Sequence, residues 1–68
     1  MSVYRVIDVI GTSPASWEEA AAEAISTAAS SLRDLRVAEV TKQDIVVGDG
    51  GELIYRTKIQ LSFKYEED

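Results

Sequence analysis

The chain contains neither cysteine nor histidine, which limits how its 68 residues can stabilise a fold. A chain of this length buries only roughly 60% of its unfolded surface, so disulfides, a structural metal or partner subunits usually supply the missing stability. Disulfides and thiolate zinc sites are excluded here, and the imidazole ligands of transition metals are missing. We therefore expect one domain, residues 1–68, that assembles with copies of itself, and a hard, oxygen-liganded cation is compatible with this composition.

Charge and hydropathy exclude two classes of partner. The net charge is −5, and Arg56, Lys58 and Lys64, which alternate along one segment, read as a solvated strand face. Such a chain is a poor candidate for binding nucleic acid. It has no apolar run near the ~20 residues of a membrane span, and no signal peptide is visible after Met1. We expect no membrane partner and a cytoplasmic location.

The first half of the chain predicts a strand followed by a helix. Residues 3–10 mix β-branched, aromatic and charged side chains, and residues 11–14 are predicted to end the strand. Ser16 and Glu19 have the spacing of a capping box, in which Ser16 accepts from the Glu19 amide and the Glu19 side chain reaches back to Ser16. A helix is therefore predicted to begin at Trp17.

The helix has an unusual apolar face, because most of its members are alanine. Trp17, Ile25 and Leu32 are the large groups at helical spacing, and Arg33 is expected in the last turn. Alanine buries little area but lets another backbone approach closely. We expect this helix to lie within a curved sheet, with Trp17 packing its start against the strands.

The second half predicts a β-hairpin. Residues 37–47 and 53–65 read as strands, and the glycine-rich residues 48–51 between them are typical of a tight turn. The last strand alternates cleanly, with one apolar face, and the tail 66–68 is expected to fray. An antiparallel α+β unit of this order places the third strand in the centre. The first and second strands are then open edges that need partners.

Residues 4–14, with the stretch that begins at Ser16 and Trp17, resemble the start of the dodecins. Residues 37–40 and 55–57 fall where dodecins carry comparable segments. The resemblance implies a β-α-β-β subunit whose three-stranded sheet, in the order 1-3-2, wraps around one helix. It also implies a hollow homo-dodecamer that binds or stores small ligands, flavins in typical members and coenzyme A in some, without catalysis.

The resemblance also indicates a ligand groove at Val37, Arg56 and Arg5. Flavin-binding dodecins have a stacking tryptophan at the first position and a glutamine at the second. Valine lacks the flat π-surface needed for stacking, and arginine cannot accept a hydrogen bond as an amide does. Flavin stacking is therefore predicted to be lost. The alternative role of Arg56 is a cross-strand ion pair with Glu39.

With Asp44 at a position where many dodecins have arginine, the chain is similar to the calcium dodecin subgroup. Calcium or another hard cation is therefore the leading ligand, with a flavin or coenzyme A as the alternative and a purely structural assembly as the second. Asp8 and Asp44 are the candidate metal ligands. The alternatives for each are solvent exposure or an ion pair with Arg5 or Arg36. No EF-hand pattern is present, and residues 48–52 read as a turn.

Catalysis is not expected. Without histidine or cysteine, the acid–base groups that remain are carboxylates, lysines and tyrosines. The Ser-x-x-Lys and Gly-x-Ser-x-Gly patterns of nucleophilic enzymes are missing, as is a glycine-rich phosphate loop.

Overall fold

A computed structural model describes residues 1–32 and 34–64. The order of elements is β1 (Tyr4–Ser13), α1 (Trp17–Ala29), β2 (Leu35–Val47) and β3 (Leu53–Lys64). The strands form one antiparallel sheet in the order β1-β3-β2, with α1 against it. The predicted β-α-β-β fold is confirmed. The predictions for Arg33, Tyr65 and the tail 66–68 fall outside the described residues.

Strand β1 continues three residues past its predicted end. Gly11 lies opposite Thr57 and Ser13 opposite Tyr55, because β3 is long enough to pair with the whole segment. Gly11 also sets the distance between the sheet and the helix. A Cβ at this position would overlap the carbonyl oxygen of Ala20, so only glycine lets α1 approach β1 this closely.

The helix begins at the predicted cap, but the second predicted hydrogen bond of the capping box, from Ser16 to the Glu19 side chain, is wrong. The Ser16 hydroxyl accepts from the Glu19 amide at 3.0 Å. The Glu19 carboxylate does not return to Ser16, and instead accepts from the Ser13 hydroxyl at 2.6 Å. The same hydroxyl accepts from the Ala15 amide at 2.9 Å. Ser13, the last residue of β1, therefore ties the strand to the start of the helix.

The helix ends at Ala29, earlier than the apolar spacing predicts. Ser30 is the C-cap residue, and its hydroxyl donates to the Thr27 carbonyl at 2.7 Å. Serine favours a helix end because its side chain offers the backbone an alternative hydrogen bond. The Leu32 amide still donates to the Ala28 carbonyl at 3.0 Å, and the Leu32 side chain packs against the core.

The turn between β2 and β3 has the predicted position. The Gly48 amide donates to the Glu52 carbonyl at 2.8 Å, and the Gly51 amide donates to the Gly48 carbonyl at 3.0 Å. Gly51 has φ of 88°, a conformation that favours glycine. This tight turn fixes which residues of β2 and β3 face each other.

The core is thin, and half of it is alanine. It consists of one stripe on the helix and one face of the central strand: Ala20, Ala24, Ala28, Ile59, Leu61 and Phe63. The predicted alanine face and the alternation along β3 are both confirmed. The chain measures 51 × 20 × 16 Å, and its radius of gyration is 14.1 Å, against about 11 Å expected for a compact chain of this length. Much of the hairpin therefore lies outside any core of this subunit.

Large apolar side chains lie exposed on both edge strands. In β2 only Leu35 and Asp44 are not exposed. The exposed apolar group on the strands includes Val6, Ile10, Val37, Val40, Ile45, Val46 and Val47. Within the described residues, no helix is long and apolar enough to cross a membrane.

We predict that Gly11→Ala destabilises the fold by at least about 2 kcal/mol, because the new methyl group overlaps helix backbone, which cannot rotate away. Urea unfolding followed by circular dichroism, at one fixed protein concentration, measures the change. Gly50→Ala is the matched control, since its methyl group meets only the flexible end of Glu52. Equal stability of the two variants would contradict the close approach.

Candidate functional site

The sheet has an outer face, turned away from α1, where most candidate residues lie. Residues directly opposite each other in an antiparallel pair project to the same side of a sheet. On β3 the inner side carries the buried residues, and the outer side carries Arg56, Lys58, Gln60 and Ser62. Each of these four has one neighbour on β1 and one on β2: Thr12 and Asp44 beside Arg56, Ile10 and Lys42 beside Lys58, Asp8 and Glu39 beside Gln60, and Val6 and Val37 beside Ser62.

Asp44 and Arg56 form a bidentate ion pair on the outer face. Arg56 Nε donates to Asp44 Oδ1 at 2.7 Å, and Nη2 donates to Oδ2 at 2.6 Å. The side chains are 36% and 41% exposed. The predicted pair of Arg56 with Glu39 is wrong, because Glu39 lies opposite Gln60, four residues away along β3. The register counted back from the Gly48 turn would have found the true partner.

The ion pair fixes the charge state of Asp44. Hydrogen bonds from Arg56 lower the pKa of Asp44 below its ordinary value of 3.8, outweighing desolvation, which acts in the opposite direction. The positive charges of Arg56 and Lys42 lower this pKa further. Asp44 is therefore a carboxylate at neutral pH, with both oxygens bonded to a guanidinium. A metal ion at Asp44 has to compete with Arg56.

Trp17 connects the helix to the strand that carries Asp44. Its indole Nε1 donates to the Asp44 carbonyl at 3.1 Å, and its own carbonyl accepts from the Thr57 hydroxyl at 3.0 Å. The ring lies edge-on to Tyr55, with centroids 5.2 Å apart. The prediction that Trp17 packs the helix start against the sheet is confirmed.

The three residues of the predicted ligand groove lie apart in one subunit. Val37 is 56% exposed and lies opposite Ser62 on the outer face. Arg56 is six residues along β3 from Ser62, which corresponds to roughly 20 Å. Arg5 lies opposite Phe63, and its guanidinium carbon is 5.7 Å from the centre of that ring. A groove that includes all three residues therefore requires a second subunit.

The two candidate metal ligands also lie apart. Asp8 is exposed and lies opposite Gln60, with Glu39 on the other side. Asp44 is at the Arg56 position, four residues away along β3. Residues 1–32 and 34–64 contain no group of three or more carboxylates that could hold a metal ion. One subunit alone does not supply the six to eight oxygens that calcium takes.

The chain is similar to proteins of one known family. The dodecin family model matches residues 3–66. Calcium dodecin from Mycobacterium tuberculosis is 58% identical over 64 residues, which cover 94% of this chain and 90% of that protein. A crystal structure of that calcium dodecin, described as calcium-chelating with a novel calcium-binding site, has a TM-score of 0.90 at 54% identity, covering 98% of this chain and 96% of that one. Dodecin from Streptomyces coelicolor has a TM-score of 0.90 at 34% identity, with coverage of 98% and 96%.

We predict that Asp44→Asn makes the stability of the protein less sensitive to acid. The folded pKa of Asp44 lies below the unfolded value. The contribution of the ion pair is therefore complete above about pH 4 and disappears as the pH falls through the lower folded value. Melting temperatures from pH 6 to pH 2.5 measure this loss.

The exposed turn residue Asp49 provides the control. Asp49→Asn should follow the wild-type profile at every pH, whereas Asp44→Asn should start lower at pH 6 and fall less on acidification. Parallel profiles for all three proteins would show that the ion pair does not contribute to acid sensitivity.

Proposed function

Because the chain belongs to the dodecin family, we propose that it forms a non-catalytic homo-dodecameric shell that binds or stores a small ligand or ion. Calcium or another hard cation is the ligand that we propose first. The cytoplasmic location expected from the sequence stays a prediction.

The need for assembly is supported by the shape of the subunit. Its core is thin, and both edge strands expose apolar side chains together with unpaired backbone groups. A groove of about 470 Å³ runs between β1 and α1, with an apolar floor that includes Ile7, Val9 and Ala24. Copies of the same chain would cover these surfaces and supply the stability that a chain of 68 residues lacks.

One observation carries the choice of calcium. Val37 occupies the position of the flavin-stacking tryptophan in a chain that is 58% identical to calcium dodecin. A valine side chain gives no stacking surface, so the usual reason for flavin affinity is missing. Arg56, at the position of the flavin-binding glutamine, is already paired with Asp44.

Of the two candidate ligands, Asp8 suits a cation better. Its neighbour across the sheet is Gln60, followed by Glu39, so this row offers carboxylate and amide oxygens, which calcium prefers. We call Asp8, Gln60 and Glu39 the acidic row. The row supplies too few oxygens for a complete site, so waters or the same row of neighbouring subunits would complete the coordination.

We predict that the chelator-treated protein binds calcium and that Asp8→Asn weakens binding at least tenfold, because a charged ligand is lost. Isothermal titration calorimetry measures both affinities. Asp49→Asn should bind like the wild type, and Asp44→Asn should bind at least as well, since Arg56 already neutralises that carboxylate. The absence of heat at millimolar calcium would contradict the proposal.

A visible spectrum of the purified protein distinguishes the alternatives. A yellow preparation with quenched flavin fluorescence would favour the flavin-binding dodecins and overturn the interpretation of Val37 and Arg56. A colourless protein that binds neither calcium nor coenzyme A would favour a purely structural assembly.

We predict that light scattering shows one species of about twelve times the 7.5 kDa subunit mass. Val6→Lys, on the exposed part of edge strand β1, should dissociate the particle and unfold the subunit together, because a buried charge is unfavourable in an interface. Ala22→Lys, on the exposed side of α1, is the control that should keep the assembly. A folded Val6→Lys monomer would show that the subunit does not depend on its partners.

A further inference from the structure

Strand β2 places Lys42 beside a lysine of β3, next to an irregularity in the strand. Val40 lies opposite Ile59, and Lys42 lies opposite Lys58, so Thr41 is an extra residue between the two pairs. The Thr41 hydroxyl donates to the Lys58 carbonyl at 3.2 Å. The register that starts at the Gly48 turn runs without interruption to this lysine pair, and the β-bulge lies beyond it. Lys42 therefore lies on the outer face, directly across from Lys58.

This arrangement places like charges together. Two lysines directly opposite each other on one face of a sheet repel and destabilise the strand pair. Asp44, two residues along β2 from Lys42, has both oxygens bonded to Arg56. The fold therefore brings three positive side chains around one carboxylate, although the chain as a whole carries a charge of −5.

The lysines belong to a defined pocket. A cavity of about 160 Å³ on the outer face is lined by Ile10, Lys42, Asp44, Arg56 and Lys58, which we call the basic pocket. Three of these side chains are positive and one is negative, so the lining carries two net positive charges. An anion with two negative charges matches this balance, whereas a metal cation would be repelled.

We propose that the basic pocket binds a phosphate group, either as inorganic phosphate or as the monoester of an organic ligand. The ammonium groups of Lys42 and Lys58 donate to the phosphate oxygens and neutralise its charge. Arg56 Nη1 takes no part in the pair with Asp44, and that pair holds the guanidinium in place, which reduces the entropy lost on binding. Ile10 provides an apolar wall for the organic part of a monoester.

The test is calorimetric titration of the assembled protein with inorganic phosphate and, separately, with phenyl phosphate. Chelator is present throughout and ionic strength is constant, so the result does not depend on calcium binding. We expect saturable binding that Lys42→Gln/Lys58→Gln weakens at least tenfold. Lys64→Gln removes one positive charge from β3 outside the pocket and should bind like the wild type. Lysine-dependent heat in either titration supports the proposal, and tighter binding of phenyl phosphate would identify an organic phosphate as the ligand.

Three results would overturn the proposal: no saturable heat at millimolar concentrations of either ligand, unchanged binding in the double variant, or an equal loss in Lys64→Gln. Should the double variant fail to fold, the single variants Lys42→Gln and Lys58→Gln are titrated in its place. The wild-type melting temperature provides a measurement without any variant. It should rise with phosphate and not with sodium chloride at the same ionic strength, and an equal rise in both would count against the pocket.

Discussion

The alanine face of α1 determines how the rest of this subunit is built. Ala20, Ala24 and Ala28 let the helix backbone approach the sheet so closely that β1 needs a glycine at position 11. Each alanine contributes a single methyl group, and a buried methylene or methyl group is worth only about 0.8 kcal/mol. The helix therefore fits tightly but provides little hydrophobic stabilisation. Folding and assembly are therefore coupled, because the strands keep apolar surface area that the helix does not cover.

Asp44 links the two sides of the sheet at the end of this thin core. Its backbone carbonyl accepts from the Trp17 indole on the inner side, while its carboxylate holds Arg56 on the outer side. The Trp17 carbonyl in turn accepts a hydrogen bond from the Thr57 hydroxyl. The start of the helix, the edge strand and the central strand are thus connected at one point. A change in the Asp44 side chain acts at a partly exposed ion pair, whereas the position of its backbone also determines how the start of the helix packs on the sheet.

Local patterns in the sequence were sufficient to predict the elements and their order. The cap at Ser16, the turn at Gly48 and the alternation along β3 each depend on a few neighbouring residues, and all three are confirmed. The predicted ends of β1 and α1 were wrong. Pairing with β3 extends β1 beyond Gly11, and the hydrogen bond of the Ser30 hydroxyl favours the end of α1 before Leu32.

The site was harder to predict than the fold, because it depends on register. Counting back from the turn pairs position 44 with position 56. The prediction that Arg56 pairs with Glu39 did not use this constraint. The bulge at Thr41 has no clear sequence signal, since almost every residue of β2 is exposed and its alternation carries little information. The positions of Val37, Arg56 and Arg5 relative to one ligand depend on how subunits meet, which the residues of a single chain do not specify.

On the outer face, acidic groups and basic groups lie at neighbouring positions along β3. The acidic row crosses the sheet at Gln60, and the lysines of the basic pocket cross it at Lys58, two residues or about 7 Å away. At that distance a pair of opposite unit charges attracts by about 0.6 kcal/mol in water, and by more where the surface is covered by a partner. A calcium ion at Asp8 and a phosphate at Lys42 would therefore strengthen each other's binding, and the coupling would be reciprocal. The bulge at Thr41 creates this arrangement, because it brings Glu39 opposite Gln60, whereas a regular strand continued from the turn would place Glu39 opposite Leu61 on the inner side.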